Sequence, residues 1–147
     1  MFKHLLVPID GSPAALQAVK VAARFAREQK ASLTALWVAP DWEPDLYAYA
    51  DAVPAGYVSP QQHSAHIRKA AKRYLAAAKK TAAAAGAPCR GVYVEGSIPY
   101  LEIIKAARRH RCDLIVMAPH TQGISRLLGS QTAKVLAHAE VPVMVMK

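Results

Sequence analysis

Residues 4–13 read His-Leu-Leu-Val-Pro-Ile-Asp-Gly-Ser-Pro, which places a strand-sized apolar run directly before a turn and the start of a helix. Residues 5–7 are continuously apolar, as expected for a strand that is covered on both faces of a parallel sheet. Ser12 is a suitable helix N-cap, and Pro13 suits the first turn because the backbone N–H it lacks has no partner there. The stretch therefore predicts a strand followed at once by a helix.

The same alternation continues along the whole chain. Apolar strand-like runs occur at 4–9, 32–38, 89–94, 113–118 and 141–146. Helical patterns lie between them: one opens at Ser12, and the others occupy 61–85, 100–111 and about 127–138. Five strands and four helices in strict alternation predict an α/β fold, a doubly wound five-stranded parallel sheet with right-handed crossovers.

Burial can also be predicted from the pattern. The runs at 114–117 and 143–146 are continuously apolar, so we expect these strands too to be covered on both faces. In the helix at 100–111, the spacing of the apolar residues predicts that three side chains face inward, Leu101, Ile104 and Ala107.

Strand ends give the expected place of the site. Ligands of doubly wound sheets bind beyond the carboxyl ends of the strands, near the point where strand order reverses. The segments after Ile9, Val38 and Met117 are therefore the candidate site.

Length and composition limit the class of protein. The 147 residues, 53% hydrophobic and 20% charged, suit a single domain with a core over 1–147. No apolar run approaches the roughly 18–20 residues of a membrane-spanning helix, and no signal peptide is visible. We expect a cytoplasmic protein without a membrane partner.

Charge is unevenly distributed, with nineteen Lys and Arg against ten Asp and Glu. Four of the acids lie in a long loop at about 40–60, which also holds four prolines and is expected to be functional or mobile. The cations gather on the helices at 61–85 and 100–111, where aromatic residues that could stack on bases are sparse. The pattern favours general anion affinity and predicts no specific nucleic-acid partner.

Cysteine and histidine spacing gives no strong sign of a metal or redox site. Cys89 and Cys112 lack a CxxC or metal-ligand spacing and are expected to be small buried apolar residues. His63 and His66 lie three residues apart on a predicted helix, but no nearby ligand completes a tetrahedral set. A solvated helix face is the favoured interpretation of this pair, and no metal site is assigned.

The segment at 117–132 is the most informative motif, because a strand end leads through a glycine-containing loop to a Gly-Ser helix entry. Backbone N–H groups there can approach an anion closely, and the hydroxyls of Ser130 and Thr132 can add donors. An ordinary strand-to-helix loop, with Gly129 present for tight packing, remains the alternative.

Several further motifs are spread over the whole chain: Val7-Pro8-Ile9-Asp10-Gly11-Ser12, Glu95-Gly96, Asp113-Leu114-Ile115-Val116-Met117, Gly129-Ser130 with Lys134-Val135-Leu136, and Val141-Pro142-Val143. Together they resemble the universal stress protein family. The resemblance implies the sheet order 3-2-1-4-5, a homodimer formed through the last strand and a stress-associated regulatory function. That order would separate the two cysteines by about three strand spacings, which argues against an internal disulfide.

Many members of that family bind ATP, and the resemblance carries a candidate site onto this chain, with Mg²⁺ expected if ATP is bound. Asp10 matches the aspartate after the first strand, Val38 the adenine-side position and Gly129-Ser130 the end of the glycine loop. The full expected set is Pro8, Asp10, Val38, Ala118, His120, Gly123, Arg126, Gly129, Ser130 and Thr132.

This sequence departs from the family's glycine loop. Ala118 and Thr121 stand where the family has glycines, and seven residues instead of nine separate Thr121 from Gly129. Each added Cβ hinders close approach of backbone to phosphate, although Arg126 could compensate through its guanidinium fork.

Three alternatives therefore stay open. Asp10 could simply close the turn before the first helix. The chain could be a dimeric protein–protein interaction module that has lost nucleotide binding. Weak ATP hydrolysis is a third reading, for which Asp10 and His120 are the only candidates, and no catalytic residue is assigned.

Overall fold

The computed structural model describes residues 1–42, 58–119 and 129–146. Strands and helices alternate in the order β1 (His4–Ile9), α1 (Pro13–Gln29), β2 (Ser32–Ala39), α2 (Pro60–Ala84), β3 (Cys89–Glu95), α3 (Pro99–Arg109), β4 (Leu114–Met117), α4 (Ser130–His138) and β5 (Val143–Val145). Most of the predicted long loop at about 40–60 lies outside the described residues.

The five strands form one parallel sheet in the order β3-β2-β1-β4-β5, which confirms the predicted fold. The central strand is β1: Leu5 is aligned with Leu33 of β2 on one side and with Leu114 of β4 on the other. The chain therefore winds outward from β1 in both directions, and the reversal point lies between β1 and β4.

Side chains of β1 alternate between two cores, one on each face of the sheet. Leu5 and Val7 pack with α1 and α2, whereas Leu6 packs with α3 on the opposite face. All three side chains are fully buried, as the continuous apolar run predicts.

The last strand differs from its prediction. Each residue of β5 is only half-buried, and β4 is its neighbour in the sheet. An apolar run predicts burial on both faces, but a strand at the edge has a neighbour on one side alone. The described chain thus leaves an apolar edge at β5.

Helix starts follow the predicted chemistry. The Ser12 hydroxyl accepts the backbone N–H of Ala15 at 3.1 Å, so Ser12 caps α1 as expected. Ser59 and Gln62 form a reciprocal capping box at the start of α2, and Pro60 is the first residue of this helix. Gly86, beyond the end of α2, has a φ of +95°, which suits glycine.

In α3 the inward face was predicted only in part. Ala107 is buried as expected, but Leu101 and Ile104 are half-buried at the flanks of the helix. The centre of the buried face is formed by Ile103 and Ala106. The residues that face the sheet depend on how the helix is rotated against it, and helical spacing alone does not fix that rotation.

Helix α4 begins at Ser130, with Gly129 as its N-cap residue. Its predicted start near residue 127 lies outside the described part of the chain. None of the helices in the described ranges combines the length and the apolar character needed to cross a membrane.

Both cysteines are free thiols. Cys112 is buried and Cys89 is half-buried, and β3 and β4 are separated by two other strands. Burial raises the pKa of the Cys112 thiol to about 11, and it also raises the pKa of Cys89. At neutral pH these side chains are protonated and act as small packing groups.

Candidate functional site

A cleft of about 200 Å³ lies at the carboxyl ends of the central strands. The ends of three strands meet there, so Ile9, Val38 and Met117 line the same space. The remaining lining residues are Pro8, Asp10, Ser12, Ala15, Leu36, Pro99, Ile103, Ala118, Gln131 and Thr132. This is the position that the topology of a doubly wound sheet offers to a ligand.

The walls of the cleft are largely apolar, with a few polar groups at one side. Leu36 and Ile103 belong to the core of the α3 face, so the floor of the cleft is continuous with the protein interior. Among the described lining residues, Asp10 is the only one with an ionisable side chain. An apolar pocket with few convergent polar groups is typical of a small-molecule site.

Asp10 is positioned by the turn between β1 and α1. Its Oδ1 accepts the backbone N–H of Ser12 at 2.9 Å, a local bond of the kind that short carboxylates form in turns. Gly11 completes the turn with a φ of +82°. The structure therefore shows the turn-closing role that the sequence left open, and the same turn holds the carboxylate at the cleft.

Gly11 is required for a second reason. A Cβ at this position would lie 2.4 Å from Cε1 of Tyr74, because α2 packs directly against the turn. The Tyr74 ring is in turn held edge-on against Trp37 of β2, with ring centroids 5.1 Å apart. The position of Asp10 thus depends on contacts from α2 as well as on the local sequence.

Two side chains of α4 fix the opposite side of the cleft. Gln131 Oε1 accepts the backbone N–H of Tyr100 at 3.0 Å, which joins α4 to the first turn of α3. The fully buried Thr132 donates its hydroxyl proton to the carbonyl oxygen of Ala118 at 3.3 Å. The Thr132 hydroxyl, which the sequence predicted as a donor to a phosphate, therefore already donates its hydrogen bond within the protein.

The expected site residues fall into three groups. Pro8, Asp10, Val38, Ala118 and Thr132 line the cleft. Gly129 and Ser130 lie beside it at the start of α4, where Ser130 is exposed. The third group, His120, Gly123 and Arg126, lies outside the described residues, as does Thr121.

The start of α4 is not capped by its N-cap residue. Gly129 occupies that position, and among the described residues no side-chain cap bond to the first backbone N–H groups of the helix is found. Such N–H groups carry partial positive charge and attract anions.

Some lining residues were not predicted from sequence. Ser12 and Gln131 lie within quoted motifs but were not assigned to the site, and no motif identified the apolar lining residues Ala15, Leu36, Pro99 and Ile103. Gln131 could have been found, because it directly follows the Gly129-Ser130 pair. Leu36 and Ile103 carry no local signal, since their place depends on how strands and helices pack.

The histidine pair is also corrected by the structure. His63 is buried and donates from Nε2 to the carbonyl oxygen of Pro40 at 2.9 Å, so it does not lie on a solvated helix face. His66, one turn later, is exposed as expected. In the described ranges no cluster of three or more His, Cys, Asp or Glu side chains could hold a metal ion.

The sequence of the chain is similar to those of known proteins. The family model described as universal stress protein family matches residues 1–147. The universal stress protein MJ0531 of Methanocaldococcus jannaschii is 31% identical over 149 residues, covering 100% of this chain and 83% of that protein. Universal stress protein YxiE of Bacillus subtilis is 30% identical over 153 residues and is covered completely, as is this chain.

Solved structures show the same fold. The protein MJ0577 aligns with a TM-score of 0.78 and 26% identity, over 100% of this chain and 96% of that one. A universal stress protein solved in complex with cAMP aligns with a TM-score of 0.72 and 25% identity, over 99% and 97% of the two chains. From its sequence match over the full length, this chain belongs to the universal stress protein family.

Proposed function

We propose that this chain is a small stress-associated regulatory protein whose cleft binds an adenine nucleotide. The observation that carries the proposal is the cleft itself, where apolar strand ends surround a space with the Asp10 carboxylate at one side. A similar protein was solved in complex with cAMP, an adenine nucleotide, which supports this class of ligand.

The proposed pose assigns the parts of the nucleotide by chemistry. The base lies against the apolar walls near Leu36, Val38 and Ile103, and Asp10 accepts hydrogen bonds from polar groups of the base or ribose. The phosphates point toward the start of α4 at Gly129 and Ser130.

The size of the cleft limits the pose. Pockets for drug-sized ligands enclose roughly 300–1,000 Å³, whereas this cleft measures about 200 Å³. We therefore assign only the base and ribose to it, with the phosphates outside. Ala118 and the internally bonded Thr132 offer little to those phosphates, so we expect weak binding.

Mg²⁺ is proposed only as a counter-ion that arrives on the phosphates of ATP, because Asp10 is the one carboxylate among the described lining residues. We assign no catalytic step and no catalytic residue to this site. A cytoplasmic location is part of the proposal and is tested by cell fractionation.

Isothermal titration calorimetry and thermal denaturation test the nucleotide proposal directly. ATP with Mg²⁺ and cAMP should release heat and raise the melting temperature, whereas GTP should have a weaker effect. A ligand at 100 times its Kd adds about 2.7 kcal/mol to folding stability. Absence of heat at millimolar ligand, together with an unchanged melting temperature, would exclude the proposal.

We propose in addition that two copies pair through β5. The half-buried apolar strand Val143–Val145 forms a sheet edge, and its central residue Met144, together with Met146 just after the strand, packs partly buried against the core. An apolar edge is normally covered in a stable protein. The same edge supports the second candidate function, a dimeric protein–protein interaction module that does not bind a nucleotide. A calorimetry experiment that detects no nucleotide binding would favour this second function.

A further inference from the structure

The outer surface of α1 and α2 carries a strong excess of positive charge. These two helices contain nine Lys and Arg residues, all of them exposed: Lys20, Arg24, Arg27, Arg68, Lys69, Lys72, Arg73, Lys79 and Lys80. The only acidic residue in either helix is Glu28. This face lies on the opposite side of the sheet from α3 and α4.

The two helices run side by side in the same direction. At one end, Gly11 ahead of α1 approaches the ring of Tyr74. At the other end, Arg27 lies against Gly86, where a Cβ would come 2.9 Å from its Cδ and Nη1 atoms. With a rise of about 1.5 Å per residue, the shared length from Tyr74 to the end of α2 is about 15 Å.

A groove of about 780 Å³ lies between the two helices toward the Arg27 end of this contact line, and we call it the basic groove. Its charged lining residues are Lys20, Arg24, Arg27 and Lys80, and its floor is formed by Thr81, Ala84 and Ala85. No carboxylate of the described residues forms an ion pair with these cations. The ion pairs that the described residues do form, Lys105–Glu102 and Arg108–Glu140, lie on the other face of the sheet.

Four cations around one groove suit a ligand with several negative charges in a row. The phosphates of each strand of a duplex recur every 3.4 Å along the duplex axis, so about three fit along the roughly 10 Å between Lys20 and Arg27. A convex sugar–phosphate strand also suits a concave surface between two helices.

Other polyanionic partners fit less well. The large apolar residues exposed in the described chain are Met1, Tyr93, Ile98 and Leu136, none of which lies in α1 or α2. Helices that bind membranes insert apolar side chains, and protein interfaces have an apolar centre. None of the described residues that line the basic groove is aromatic, so they offer no ring on which the bases of a single strand could stack.

We propose that the basic groove binds the sugar–phosphate backbone of duplex nucleic acid without regard to sequence. This site is separate from the nucleotide cleft and does not depend on the proposed function. It agrees with the expectation of no specific nucleic-acid partner, because phosphate contacts carry no direct sequence information.

Fluorescence anisotropy with a labelled 25-base-pair DNA duplex of mixed sequence tests the proposal. The groove variant combines Lys20→Gln, Arg24→Gln and Lys80→Gln; the control combines Lys105→Gln, Arg109→Gln and Lys134→Gln on the other face and changes the net charge equally. We expect the groove variant to bind at least about tenfold more weakly at 100 mM salt. Its slope of log Kd against log salt should fall by about 2–3, since each lost phosphate contact contributes about 0.9.

The control variant should stay within about threefold of the unchanged protein, because it alters only the distant field. Equal losses in the two variants would overturn the proposal and assign the affinity to net charge. Groove-dependent binding to phosphatidylserine vesicles, without binding to the duplex, would overturn it in favour of a membrane surface. All six positions are exposed and helical, where glutamine is well tolerated, and melting curves verify that both variants are folded.

Discussion

Thr132 in the first turn of α4 donates its hydroxyl proton to the carbonyl oxygen of Ala118, at the end of β4, over 3.3 Å. The two residues are fourteen positions apart in the sequence, and both line the cleft. The bond joins the two ends of the segment that the family resemblance identifies as the phosphate loop. The side wall of the cleft is therefore fixed by a contact between secondary-structure elements.

Removing that hydroxyl should loosen the cleft. Thr132→Val keeps the shape of the side chain but leaves the Ala118 carbonyl without this partner, which should lower the free energy of unfolding by about 1–3 kcal/mol. Urea denaturation measures the loss. Thr132→Ser retains the hydroxyl and serves as the control, and a Thr132→Val variant as stable as the unchanged protein would show that the hydrogen bond is unimportant.

Asp10→Asn should weaken nucleotide binding with little effect on folding. Asparagine closes the same turn as aspartate, so the fold is expected to persist, while the stronger charge-assisted hydrogen bonds to the ligand are lost. We expect the Kd for ATP to rise about tenfold, in line with roughly 1.4 kcal/mol for one such bond. Asp41→Asn, at an exposed position with the same change of charge, should leave the Kd unchanged. If both variants bind like the unchanged protein, Asp10 does not contact the ligand.

Gly11→Ala should destabilise the protein through both backbone and packing. The positive φ of this residue costs a non-glycine residue roughly 1–2 kcal/mol, and the new Cβ would meet the Tyr74 ring at 2.4 Å. The double variant Gly11→Ala with Tyr74→Leu lacks the ring that the new Cβ would meet. Its loss in the free energy of unfolding should therefore be smaller than the sum of the losses in the two single variants. Strictly additive losses, measured by chemical denaturation, would show that the ring contact is unimportant.

Asp113 should make stability depend on acid pH. Partial burial opposes ionisation of its carboxylate, but hydrogen bonds from the backbone N–H groups of His4 and Lys3 outweigh it and lower the pKa of Asp113. A carboxyl with a lower pKa in the folded state contributes stability above its unfolded pKa of about 3.9. That contribution is lost as the pH falls through the folded value.

Comparison with Asp113→Asn tests this dependence. The variant should melt at a lower temperature than the unchanged protein at pH 7, and the difference should shrink below about pH 4. Glu28→Gln, on the exposed surface of α1, provides the control and should change the melting temperature little at either pH. A difference between the Asp113 variant and the unchanged protein that is the same at both pH values would contradict the assignment.

A charge on the last strand should prevent dimer formation. Val145→Lys places a cation on the apolar edge of β5, and lysine on an edge strand opposes pairing with another strand. Light scattering should show a dimer for the unchanged protein and a monomer for the variant at micromolar concentration. Ala133→Lys on the exposed surface of α4 adds the same charge and should leave the dimer intact. A monomer for the unchanged protein would refute the interface.

The sequence alone was sufficient for features that local interactions decide. The run at residues 5–7 predicts a strand buried on both faces, and Ser12 predicts the start of α1, because strand periodicity and helix capping involve only near neighbours. The alternation of strands and helices predicts the parallel sheet, while the strand order was implied by the family motifs. Asp10 was assigned to the site by the same family motifs, as the aspartate that follows the first strand.

The tertiary structure decided which distant groups meet. Burial of His63 against Pro40, the use of the Thr132 hydroxyl by Ala118 and the half-exposure of β5 all depend on neighbours remote in sequence. The basic groove is of the same kind, since its cations come from two helices. Local propensities act over a few residues, whereas a cleft or a groove exists only where separate helices and strands pack against one another.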